Sequence, residues 1–132
     1  MKTKVVEKKG NKITIWKMNF GFRSDYQGDT TITTYKKVNK GGKDIMVRDV
    51  KIDNGKMILM TLVYGIFEST DMGIPAPKNL KLGLTPEEKE MRLEIIRSLD
   101  YDLDDVFTAI QEINEEVDEE IIKKSATPST EN

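Results

Sequence analysis

Eight cationic side chains and five aromatic rings are interleaved between residues 16 and 51: Lys17, Arg23, Lys36, Lys37, Lys40, Lys43, Arg48 and Lys51 beside Trp16, Phe20, Phe22, Tyr26 and Tyr35. A positive groove with rings on which bases stack is what holds single-stranded nucleic acid, and a nucleotide pocket needs the same two ingredients on a smaller scale. Trp16, Phe20 and Phe22 fall on one side of an alternating run and are assigned to the core, the usual place for large rings. Lys17, Arg23, Tyr26, Tyr35, Lys37 and Arg48 remain as the candidate ligand-binding set. Arg23 and Arg48 carry weight in it because a planar guanidinium grips phosphate bidentately, which lysine cannot do. Lysines on a strand edge have a plainer use as well, since they deter edge-to-edge aggregation.

Other chemistries are excluded or incomplete. The chain contains no histidine and no cysteine, which removes Ser-His-Asp triads, Cys-His pairs, disulfides and the His- and Cys-rich zinc sites together. Asp100, Asp102 and Asp104 have the alternate spacing of the first ligands of a calcium loop. The pattern then fails: Asp105 stands where the sharp-turn glycine belongs, and Gln111 where the bidentate glutamate belongs. Helix capping explains these aspartates more simply. The run Asn39-Lys40-Gly41-Gly42-Lys43-Asp44 lacks the Gly-Lys-Ser/Thr ending of a phosphate-binding loop. No pair of carboxylates is marked out for acid–base work, so no catalytic activity, metal or cofactor is expected.

The elements that must position these residues follow from pattern and charge. Through Lys56 there are 14 cationic and 6 acidic residues, a balance of +8; from Leu84 onward there are 5 and 15, a balance of −10. The formal total of −2 conceals this division. In the basic part, residues 1–68, a tight turn at Lys9-Gly10-Asn11-Lys12 is followed by a strand from Ile13 to Phe22. A Thr-rich strand from Thr30 to Val38, a basic loop at 39–43, and a hairpin made by Ile45 to Ile52 and Met57 to Phe67 around Asn54-Gly55 complete it. Met57 to Phe67 is apolar on both faces, as a strand covered on both sides would be. Ser69 to Gly83, with Gly73, Pro75 and Pro77, reads as an irregular connector.

The acidic arm, residues 84–124, opens with Thr85-Pro86-Glu87-Glu88, a cap, a first-turn proline and a capping-box glutamate. A shorter helix is expected over Pro86 to Leu99, a break at Asp100 to Asp105, and a longer helix over Leu103 to Lys124. Leu103, Val106, Ile110, Ile113, Val117 and Ile121 line one face of that second helix and are the candidate oligomer interface. Residues 125–132 read as a disordered tail.

The expected fold is therefore one α+β domain, residues 1–124, with a twisted antiparallel sheet of about five strands, barrel-like or a meander, followed by two C-terminal helices. The expected function is a non-catalytic binding protein whose basic β-face holds an anionic ligand, single-stranded nucleic acid or a nucleotide, and which forms homo-oligomers through the helical arm. The alternative is a protein-interaction module, either a structural assembly subunit or an inhibitor that turns its acidic helices on a basic partner protein. The N-terminal residues hold no signal-peptide-like run and no stretch is long enough to span a bilayer, so a cytoplasmic location is expected. The Lys- and Glu-rich composition without cysteine is compatible with viral or mobile-element origin.

Overall fold

The computed structural model describes residues 1–115 of the 132. Strand β1 (Thr3–Lys8) turns back into β2 (Asn11–Trp16) through Lys9-Gly10, both at positive φ (52° and 81°), the two-residue turn that the twist of a hairpin favours. Ile13 and Ile15 of β2 are fully buried. The chain then leaves the sheet. The Asn19 side chain accepts from the Phe22 N–H (2.9 Å) and caps helix α1 (Phe20–Thr30). The strand expected to run to Phe22 therefore ends at Trp16. Phe22, Tyr26 and Thr30 follow the four-residue spacing of a helix and turn inward, whereas Phe20 is 86% exposed.

Strands β3 (Thr31–Lys40) and β4 (Lys43–Ile52) form a sheet of their own. Gly41-Gly42 join them at φ 59° and 80°, a turn that only glycine-like residues make without strain. Helix α2 (Asn54–Gly65) follows, opened by Asp53, whose carboxylate accepts from the Lys56 N–H (3.2 Å). Asn54-Gly55 thus lies in a first helical turn and does not make a hairpin, and the run after it is a helix in place of a strand. Its apolar character serves burial in the second half of the helix, where Leu62, Val63 and Tyr64 are enclosed, while Ile58 in the first half is exposed. Short β5 (Ile66–Glu68) then adds to β2, giving a three-stranded antiparallel sheet in the order β1-β2-β5.

The fold is α+β with antiparallel strands, as expected, but the strands divide into sheets of three and two, and two of the helices precede residue 68. After the connector, α3 (Pro86–Arg97) begins with the expected capping box: Glu88 N–H donates to Thr85 Oγ1 (3.1 Å), and Thr85 N–H to Glu88 Oε1 (2.9 Å). The expected break follows. Helix α4 (Asp104–Glu115) starts where the Asp102 carboxylate accepts from the Asp104 N–H (3.2 Å).

The core lies between the three-stranded sheet and the helices. Trp16 meets Phe22 edge-on (centroids 4.9 Å) and donates its indole N–H to the Tyr64 carbonyl (2.9 Å). Leu103, Val106, Ile110 and Ile113 of the α4 region pack into this core at 0–5% exposure. Each such side chain contributes about 1.5–3 kcal/mol by leaving water. Asn114 fastens the same helix by accepting from the Met18 N–H (2.8 Å) and donating to the Trp16 carbonyl (3.1 Å). Arg92 of α3 is buried and donates to the carbonyls of Val63 (2.8 Å), Ile66, Phe67 (2.9 Å) and Pro75 (2.9 Å). One guanidinium thereby joins the end of α2, β5 and the connector.

Candidate functional site

The β3–β4 ribbon is set between two helices that pack on each other. Helix α1 ends at Thr30 and α2 is capped by Asp53, and the Asp53 N–H donates to the Thr30 carbonyl (2.8 Å), closing the base. Tyr26–Tyr64 and Phe22–Tyr64 ring contacts hold α1 to α2, as does the hydrogen bond between the Tyr26 and Thr61 hydroxyls (2.9 Å). At the α3 side, Asp29 accepts from the Tyr64 hydroxyl (2.5 Å) and from Lys89 Nζ (3.2 Å). Burial, and then the Asp29 carboxylate, push the Tyr64 phenol far above its ordinary value. The ribbon therefore springs from a rigid base.

Beyond that base nothing among the described residues covers it. Ten residues in each strand, at about 3.4 Å apiece, make an arm of about 30 Å. Register places side chains on two faces. One face carries Thr33 opposite Val50, Tyr35 opposite Arg48, Lys37 opposite Met46, and Asn39 opposite Asp44. The other carries Ile32 opposite Lys51, Thr34 opposite Asp49, Lys36 opposite Val47, and Val38 opposite Ile45, with Lys40 and Lys43 at the tip. Between Thr31 and Ile52 there are six cations and two acids, a balance of +4. Lys37 meets Asp44 (3.3 Å) and Lys51 meets Asp49 (3.8 Å), both in exposed settings where such pairs hold weakly.

Of the six ligand residues expected from sequence, Tyr35, Lys37 and Arg48 stand together on one ribbon face. Tyr35 is 64% exposed. Arg23 and Tyr26 are elsewhere, on α1, beside a cleft of about 210 Å³ that Met18, Thr61 and Ile110 also line. Both have structural work there: Arg23 donates to the Met18 carbonyl (3.1 Å), and Tyr26 binds Thr61. Lys17 lies past the end of β2, half-buried, with its N–H donating to the Lys2 carbonyl (2.9 Å). The six do not converge on a single pocket.

Leu103, Val106, Ile110 and Ile113 face the chain's own core, so the apolar stripe of α4 is covered from within; Val117 and Ile121 lie outside the described residues. Among the described residues no cluster of three or more carboxylates is placed to hold a metal ion, and no helix is long and apolar enough to cross a membrane. The apolar side chains exposed on the ribbon, among them Ile45, Met46, Val47, Val50 and Ile52, were not expected. Their visible signal was Gly41-Gly42, which makes a hairpin turn as readily as Asn-Gly does. Comparison with protein-family models, curated proteins and solved structures finds no match to this chain.

Proposed function

We propose that this chain is a non-catalytic binding protein whose β3–β4 ribbon carries nucleic acid as its anionic ligand. The supporting observation is the exposed trio of Tyr35, Lys37 and Arg48 on an arm of balance +4 that no other element among the described residues covers. An exposed two-stranded arm offers no enclosure for a free nucleotide, whereas a polymer brings phosphates to every lysine along it. Phosphate neutralisation releases counterions, so with Lys36, Lys40, Lys43 and Lys51 engaged the affinity should fall with salt at a log–log slope of roughly −3 to −4. The test is a titration of the full chain into labelled nucleic acid at low and near-physiological salt, repeated with Lys36→Glu/Lys43→Glu. Binding that weakens steeply with salt and is lost in the variant supports the proposal; absence of binding at low salt removes it.

A second reading, a protein-interaction module, is favoured by the exposed Ile45, Met46, Val47, Val50 and Ile52, since exposed apolar surface on an arm marks contact with a protein. There, Ile45→Ser/Val47→Ser would abolish partner capture and the lysine variant would leave it intact. The reverse result favours nucleic acid.

A further inference from the structure

We infer that the ligand of the ribbon is double-stranded DNA, entered through the major groove; this rests on the nucleic-acid reading above and narrows it. The first ground is the placement of the rings. Single strands are held by successive bases stacking on aromatic side chains. In this chain Trp16, Phe22 and Tyr64 are buried, Phe67, Tyr101 and Phe107 pack against the core, and Tyr26 is tied to Thr61; Phe20 is exposed but stands in the first turn of α1, off the ribbon, and Tyr35 is the ribbon's one ring. A single ring makes a poor stacking platform.

The second ground is shape. Two strands about 4.8 Å apart, with side chains above and below, make a blade of the width that the roughly 12 Å major groove of B-form DNA admits. The groove of A-form RNA on the same side is too narrow for it. Among the described residues nothing covers either face of this blade, and its tip is a two-glycine turn with no bulky side chain at its apex. Lys40 and Lys43 flank that turn, one on each strand, where each can meet a phosphate wall.

The third ground is the residue types on the face around Tyr35. Arg48 can read guanine O6 and N7, Thr33 can bond either kind of base edge, and Met46 and Val50 can pack on thymine methyls. The lysines of the opposite face, Lys36 and Lys51, have the reach for phosphates. A second copy of the chain is a worse occupant. Two ribbons of balance +4 repel, and one ribbon face of about 30 by 10 Å falls well short of the roughly 800 Å² per partner that a stable interface needs.

The experiment uses the full chain and three labelled probes of one sequence: a DNA duplex of about two helical turns, its single strand, and the corresponding RNA duplex. Duplex DNA should bind at least about tenfold more tightly than either rival. A minor-groove ligand should leave the complex in place, and a major-groove ligand should displace it. Arg48→Ala should weaken binding to the preferred duplex by about tenfold and flatten the preference among duplex sequences, with circular dichroism confirming an unchanged fold. Single-stranded DNA or duplex RNA binding as tightly as duplex DNA, or displacement by the minor-groove ligand alone, overturns the inference and leaves the nucleic-acid reading standing. Binding to none of the probes at low salt overturns both.

Discussion

Gly65 shows how closely the helices of this fold approach one another. A β-carbon at that position would lie 2.3 Å from Ile110 Cγ2 and 2.8 Å from its Cδ1, so α2 and α4 touch through a residue that must have no side chain. Gly65→Ala should destabilise by about 1–3 kcal/mol through overpacking, read as a lower midpoint in urea with an unchanged slope. Arg92 is the other exacting residue. Burial lowers its guanidinium to about 10 against the pull of Glu88, and four carbonyls still hold it charged. Arg92→Ala would strand those acceptors and should cost about 3–5 kcal/mol, measured by the same denaturation. Tyr64 supplies a pH test. Its folded-state value is raised above the ordinary 10.0, so the stability it adds is complete below pH 10 and is lost as pH climbs beyond that, when only the unfolded chain gives up its proton. Alkaline titration of phenolate absorbance should leave this tyrosine silent until the protein unfolds, and Asp29→Asn should bring its ionisation to lower pH.

Which elements could be read from sequence follows from how much of their determination is local. Helix α3 is announced within four residues by Thr85 to Glu88, and the break before α4 by a cluster of aspartates that cap better than they propagate, so both were legible. Helix α2 was not. Its run from Met57 is apolar on every side, and such a run has the same pattern in a buried strand and a buried helix; its Asp53 cap was masked by Asn54-Gly55, which also signals a hairpin. Helix α1 was hidden because Trp16, Met18, Phe20 and Phe22 alternate like a strand, while the four-residue spacing from Phe22 to Thr30 has a weak polar surround. The site was half legible for the same reason. Tyr35, Lys37 and Arg48 share a face because two strands pair in one register, whereas Arg23 and Tyr26 were separated from them by the helix that went unread. The ribbon itself is bonded to the rest mainly at the Thr30–Asp53 closure. Replacing residues 33–50 by a short glycine turn should therefore leave the melting temperature of the body within a few degrees and abolish nucleic-acid binding. A loss of the whole cooperative transition would show that the arm is part of the core.

At the scale of the whole molecule the charge division becomes a matter of steering. The ribbon is basic, while Glu90, Glu94, Asp100 and Glu112 put exposed acids on the α3 and α4 side. A polyanion approaching that side is repelled and one approaching the arm is drawn in, so orientation is chosen before contact. This effect acts through the long-range field, which salt suppresses once the Debye length falls to about 3 Å near 1 M. Changing those four residues to Gln or Asn should raise the association rate with duplex DNA several-fold at low salt, leave the dissociation rate unchanged, and lose its influence as salt rises; stopped-flow fluorescence separates the two rates. A changed dissociation rate would mean that the acidic helices touch the bound nucleic acid directly, and the arm would then be one of two contact surfaces.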